Sequence, residues 1–255
     1  MPTALVTGAT AGLGAEFARQ LAAAGHDLVL VARDRSRLEA GAESLRGVQG
    51  IAVEALPADL ATDDGCAAVA SRLADPARPV DLLVNNAGIG TYQPFGAASL
   101  EREEQQLDVN VRAVLRLSHA AVRAMSARGS GRILNVSSVS AFVPRGGNVT
   151  YSASKAWVTM FSEALSVQLH GTGVTVTAVC PGFTHTEFHE RANADMSHVP
   201  QRMWLEAADV VREGLADTFA GKPMSVPSHR YKGLVGAARA VPRPVLRAVM
   251  ARRGM

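Results

Sequence analysis

Cysteine is nearly missing from this chain: Cys66 and Cys180, far apart, are the only two in 255 residues. Two such thiols offer neither a disulfide framework nor metal-ligand spacing, and they suit a reducing cytosol. No basic segment followed by an apolar core stands at the N-terminus, so no secretory leader is expected and the expected compartment is the cytoplasm. No apolar run approaches the roughly 20 residues that a spanning helix needs. Aromatic residues are scarce, at 5%. Acidic residues stop altogether at Asp217. Beyond it lie eight cations, Lys222, Arg230, Lys232, Arg239, Arg243, Arg247, Arg252 and Arg253, while the preceding residues hold 18 basic against 23 acidic. The net charge of +3 hides that asymmetry. No recognition motif accompanies the positive end, so no nucleic-acid partner is expected.

What remains is rich in Ala, Val and Leu, with 47% hydrophobic residues in total. The length suits one large domain with a well-buried core. Short apolar runs at 4–7, 28–32, 51–56, 82–84, 133–136 and 174–179 read as strands. Helical stretches at 15–24, 36–46, 64–74, 99–127 and 152–170 alternate with them. Alternation of this kind means βαβ units and a parallel sheet. Strands without polar alternation are covered on both faces. The expected fold is therefore α/β, a single doubly wound, Rossmann-type domain spanning 1–255. Its ligand site should lie at the carboxyl ends of the strands.

The loops after the strands carry the chemistry. Gly8, Thr10, Gly12, Leu13 and Gly14 form a glycine-rich turn between the first strand and first helix. Such a turn lets backbone approach a pyrophosphate, and the helix start supplies amide donors. A tight βα connection alone would also explain it, but the position favours the ligand reading. The second strand ends at Ala32, without a carboxylate for a ribose hydroxyl, and Arg33 follows. An arginine there accommodates the 2′-phosphate of NADP(H). Two other readings stand: Arg33 as a surface charge paired with Asp34, and Asp34 as a ribose ligand if the strand ends two residues later. Asp59 and Leu60 follow strand three and suit an adenine ring. Asn86, Ala87 and Gly88 follow strand four. Ser138 follows strand five. Tyr151 and Lys155 share a helical face four residues apart. A phenol of pKa about 10 needs a nearby ammonium to approach neutrality.

In order and spacing these residues resemble the short-chain dehydrogenase/reductase family over roughly residues 3–190. The motifs are TGATAGLG at 7–14, DL at 59–60, NNAG at 85–88, Asn110, Ser138, YSASK at 151–155 and PGFTHT at 181–186. The resemblance implies a tetrad. Tyr151 exchanges a proton with the substrate oxygen. Lys155 binds the nicotinamide ribose and lowers the Tyr151 pKa. Ser138 hydrogen-bonds the substrate oxygen, and Asn110 holds a relay water. It also implies cofactor contacts at Pro181, Gly182, Thr184 and Thr186. The chain departs from many NADP-preferring relatives, which have a second basic residue in the glycine loop, where Thr10 and Ala11 stand here.

The resemblance further implies a substrate lid over roughly 183–225 and a homodimer or homotetramer built on the helices at 99–127 and 152–170. The end of the chain resembles a reductase subgroup with a basic extension, here 226–255, whose members act on fatty acyl, mycolyl and steroid carbonyls. Phe183, Phe188, Met196, Met203, Trp204 and Leu205 read equally as a lipophilic substrate pocket or as core. The extension reads as a solvated tail or as an amphipathic contact for an anionic membrane surface or acyl carrier. The reaction expected is NADP(H)-dependent interconversion of a carbonyl and a secondary alcohol. NAD-dependent alcohol oxidation and a non-enzymatic dinucleotide sensor or scaffold are the alternatives.

Overall fold

Apolar runs that lack alternation must bury both faces of each strand. A computed structural model describes residues 1–192, 194–197 and 199–252. Arg253 of the basic tail lies outside the described residues, as do Asn193 and His198 of the expected lid. Six of the strands occupy the anticipated runs: β1 (Thr3–Thr7), β2 (Asp27–Ala32), β3 (Val53–Pro57), β4 (Leu82–Asn85), β5 (Gly131–Val136) and β6 (Val174–Val179). A seventh, β7 (Met224–Ser225), is too short to leave a pattern in the sequence. The sheet order is β3-β2-β1-β4-β5-β6-β7, and every pairing is parallel. Neighbours run outward from β1 in both directions, so the crevice lies beyond the carboxyl ends of β1 and β4.

Helices cover both sheet faces. They are α1 (Gly12–Ala23), α2 (Arg35–Leu45), α3 (Asp63–Ala74), α4 (Leu100–Leu107), α5 (Ala113–Arg128), α6 (Val149–Gln168), α7 (Glu187–Arg191), α8 (Ala207–Phe219), α9 (His229–Ala240) and α10 (Arg243–Arg252). Val6, Leu30, Val84 and Leu134 pack with Phe17 and Leu21 of α1, Leu38 of α2 and Val211 of α8. Leu5, Val29, Leu83 and Ile133 point the other way, toward Val69 of α3 and Leu117 and Met125 of α5. Adjacent strand residues thus serve opposite cores, which is why these runs are largely apolar and show no strict polar alternation.

Three local departures matter for the site. β2 ends at Ala32, and the Asp34 carboxylate accepts from the Arg37 amide at 3.0 Å as the cap of α2. The later strand end that would have made Asp34 a ribose ligand does not occur. The single helix expected over 99–127 is interrupted by a π-helical turn, Asp108–Arg112, which contains Asn110. The stretch 183–225 is not one unit. Its first part crosses the cleft, but α8 packs on α1, with Val211 and Leu215 in the main core.

The basic extension is also tied down. Tyr231 and Val235 of α9 are buried with Cys180 and Val226, beside Phe183, Met203 and Leu205. Lys222 pairs with Asp217, Lys232 with Glu213 and Arg239 with Glu163. Among the described residues the solvated tail is therefore restricted to α10, and even there Leu246 is buried.

Candidate active site

The cofactor half of the crevice is assembled from β1 and β4. The Thr7 hydroxyl accepts from the amides of Asn86 and Ala87 at 2.9 and 3.0 Å. The Asn86 side-chain amide donates back to the Thr7 carbonyl at 2.8 Å. These bonds lock the glycine loop to the loop after β4. A Cβ on Gly14 would stand 2.1 Å from the Gly8 carbonyl and 2.5 Å from Asn86 Nδ2, so only glycine fits there. Gly8 itself has φ of +68°, the left-handed region that glycine adopts without strain. Ala11, the residue before α1, has no side chain that caps the helix. The first amides of α1 are left facing the crevice, which fits a pyrophosphate. The residues present therefore fit a dinucleotide.

Gly8, Thr10, Gly12, Leu13, Arg33, Asp59, Leu60, Asn86, Ala87 and Gly88 line one continuous cleft of about 790 Å³. Ser138, Tyr151, Lys155, Pro181, Gly182, Thr184 and Thr186 line it too. Gly14 stands behind the loop and sets its shape. Arg33 is exposed, and among the described residues its side chain has no ion pair or hydrogen bond. Pairing with Asp34, one of the readings of the sequence, does not occur. Asp59 turns inward to its own backbone, its carboxylate accepting from the Ala61 amide at 3.0 Å.

Three elements bring the tetrad together. Tyr151 and Lys155 come from the first turns of α6, Ser138 follows β5, and Asn110 lies on the π-helical turn. Ser138 hydrogen-bonds the Tyr151 phenol, and its hydroxyl also accepts from the Ser140 amide at 3.1 Å. Lys155 is buried, and its Nζ donates to the Val136 carbonyl at 2.8 Å. Asn110 donates to the Ile89 carbonyl at 2.9 Å and to Ser154 Oγ at 3.2 Å. Its Oδ1 accepts from the Ile89 amide at 2.9 Å. Both Asn110 donors are committed, so a water can only donate to its remaining lone pair.

The electrostatics differ from the simple expectation. Burial pushes the Tyr151 phenol well above its usual value, and neighbouring Tyr92 adds to the rise. The hydrogen bond from Ser138 and the Arg145 charge pull the other way. Lys155 does not reverse this. Burial lowers its own pKa from the ordinary 10.5 to about 8. Its Nζ is 5.7 Å from the Tyr151 ring centroid. Around neutral pH the phenol therefore keeps its proton and the amine is largely charged.

The substrate half is aromatic. Phe188 lies 5.6 Å from Tyr151, centroid to centroid. His189 meets Tyr92 at 5.8 Å, Phe188 at 5.5 Å and Trp204 at 5.3 Å. Arg145 lies over the Phe183 ring at 5.5 Å. Phe183, Phe188 and Met196 line the cleft, whereas Met203 and Leu205 pack into the third cluster. Trp204 backs His189 and Phe183 from outside the cleft. The six residues flagged in the sequence thus divide between pocket and support. Tyr92, Arg145, Asn148 and His189 also line the cleft, and the sequence reading missed all four. Tyr92 was findable, since it lies in the loop after β4.

Comparison with known proteins places this arrangement. The family model for short chain dehydrogenases matches residues 2–197. The chain belongs to the short-chain dehydrogenase family. Members are oxidoreductases of the alcohol–carbonyl couple. A short-chain dehydrogenase from Sphingobium yanoikuyae, solved in complex with NADPH, superposes with a TM-score of 0.86 at 37% identity, covering 95% of this chain and 97% of that one. The monensin polyketide synthase putative ketoacyl reductase of Streptomyces virginiae is 34% identical over 91% of this chain and 88% of its own length. The ketoacyl reductase HetN of a Nostoc strain is 36% identical over 71% of this chain, and the match spans 63% of HetN.

Proposed function

We propose that the protein is an NADP(H)-dependent reductase of a lipophilic ketone. One observation carries the reading. A buried Tyr151, hydrogen-bonded to Ser138, lies where the dinucleotide cradle meets an aromatic-walled cleft. A phenol so placed can give its proton to a carbonyl oxygen as general acid in reduction. When bound, the nicotinamide supplies the hydride. Ser138 donates to the carbonyl oxygen and stabilises the charge that grows on it. Tyr151 delivers its proton to that oxygen. Lys155 spends one N–H on Val136 and keeps two for ribose hydroxyls. The remaining lone pair of Asn110 Oδ1 is available to a water on the path to Lys155. Phe183, Phe188, Tyr92 and Met196 give the substrate half its apolar wall.

The free, exposed Arg33 at the end of β2 supports the preference for the phosphorylated cofactor. The test is the dissociation constants of NADPH and NADH, side by side, for the wild type and Arg33→Ser. A charged hydrogen bond is worth roughly 1.5–3 kcal/mol, so Arg33→Ser should weaken NADPH binding about ten- to hundredfold. NADH binding should barely change. Wild-type preference for NADH would move the reaction toward alcohol oxidation, and binding of neither would remove the enzymatic reading.

A further inference from the structure

The glycine loop lacks the cation that the family resemblance leads one to expect, and the structure puts another guanidinium beside that gap. Arg37 lies on the first turn of α2, one turn beyond Arg33. The cap made by the Asp34 carboxylate fixes its backbone amide at 3.0 Å. From there Arg37 Nη2 donates to the Thr10 carbonyl at 3.3 Å, inside the loop. The same guanidinium pairs with Glu187 Oε1 at 3.1 Å, across the mouth of the cleft. Glu187 is also paired with Arg191, and the two cations hold its carboxyl below the usual range. Arg33, Arg37, Thr10 and Glu187 all line the cofactor end of the cleft.

We propose that Arg37 is a second reader of the cofactor's 2′-phosphate and that Glu187 is its resident competitor. Arg37 thereby replaces the missing loop cation, and Glu187 sets how sharply NADPH is separated from NADH. The inference rests on the NADP(H) reading above.

The physical case is one of competing anions for one fork of donors. A guanidinium binds a phosphate monoester in a bidentate, charge-assisted way, and the phosphate carries nearly two charges at neutral pH. The Arg37–Glu187 pair is about half exposed on both sides, 46% and 45%, so it is weak and readily exchanged. A phosphate placed between Arg33 and Arg37 must take Arg37 from Glu187 and sit near a like charge while doing so. NADH shares the pyrophosphate but lacks the 2′-phosphate, and it leaves the pair as it is. Competition for Arg37 therefore opposes the 2′-phosphate, and so weighs on NADPH rather than NADH. When displaced it remains paired with Arg191, so the exchange strands no charge.

Binding calorimetry with NADPH and NADH on wild type, Arg37→Gln, Glu187→Gln and the double variant tests this. Both side chains are exposed, and the NADH constant reports whether each variant has folded. Arg37→Gln should weaken NADPH about tenfold and leave NADH unchanged. Glu187→Gln should tighten NADPH severalfold, again without effect on NADH. In the Arg37→Gln background the Glu187→Gln gain should vanish, because the competitor has nothing left to compete for. Equal loss of both cofactors in Glu187→Gln would show that the pair is a clasp over the cleft, overturning the proposal. No change in NADPH binding for either variant would overturn it too. If Arg33→Ser abolishes NADPH preference while Arg37→Gln does not, this inference fails and the NADP(H) reading stands. If the wild type itself does not prefer NADPH, both fail together.

Discussion

The two halves of the cleft are built by different rules. In the cofactor half, shape comes from backbone. Gly8 and Gly14 are required by sub-van der Waals spacing, and Thr7 and Asn86 stitch two loops together through main-chain groups. In the substrate half, shape comes from side chains that meet across long stretches of sequence. Tyr92 follows β4, Arg145 precedes α6, and Phe188 and His189 ride on the five-residue α7. A half made of backbone constraints tolerates few residue types at each position. A half made of side-chain contacts can be repacked without disturbing the sheet. The cofactor half should thus be sensitive to small changes in single residues, and the substrate half should trade one substrate for another.

The sharpest test of the division is the residue at the seam. Tyr151 contacts both halves, and its phenol is the proposed proton source. Tyr151→Phe keeps the ring against Phe188 and removes only the hydroxyl. General acid catalysis contributes about 10²- to 10⁴-fold, and turnover with NADPH should fall by that much. Cofactor dissociation constants should stay within about twofold, since one neutral contact is lost. Steady-state kinetics with any accepted ketone, beside calorimetry, measures both. Undiminished turnover in Tyr151→Phe would sink the proposed mechanism.

A smaller effect separates the halves directly. Phe188→Ala removes an aromatic wall from the substrate side only. An aromatic contact is worth about 0.5–1.5 kcal/mol beyond its buried area, so KM for an aryl or long-chain ketone should rise about tenfold. KM for a small aliphatic ketone should change little, and NADPH binding should not change. Matched losses for large and small ketones would mean that α7 supports the cofactor half instead, and the comparison drawn above would be wrong.

The same division explains what could be read from the sequence. Six strands were legible because each needs a continuous apolar run to face two cores, and Leu5 and Val6 alone show both faces in use. The tetrad and the glycine loop were legible through order and spacing. β7 was invisible because two residues have no period. The π-helical turn at Asn110 leaves no mark because its extra residue is absorbed within an otherwise helical pattern. No spacing in the sequence singles out Arg37, and only the distance to Thr10 makes it part of the site. Lys155 was expected to tune Tyr151 by its charge. Burial, which spacing cannot reveal, acts on both groups and dominates.

Burial of Lys155 has a measurable cost to the fold, the smallest of these effects. Its pKa is about 8 in the folded chain against an ordinary 10.5, so folding disfavours the ammonium. That cost is present in full below pH about 8 and fades as pH rises through 10.5, above which neither state is charged. A shift of this size corresponds to roughly 3 kcal/mol. Lys155→Met removes the cost but strips Val136 of its hydrogen-bond donor, a loss of about 1 kcal/mol. The variant should therefore be more stable than wild type by about 2 kcal/mol at pH 7. The advantage should shrink through the window from 8 to 10.5 and change sign at its top. Cys180 is coupled to Lys155 electrostatically, so both proteins are compared in a Cys180→Ala background. Urea denaturation at several pH values gives the comparison. A Lys155→Met protein less stable than wild type at pH 7 would mean that Lys155 is held by compensating contacts rather than at a cost. Greater stability with lost turnover would show that the cofactor half keeps a strained charge for function, as active sites commonly do.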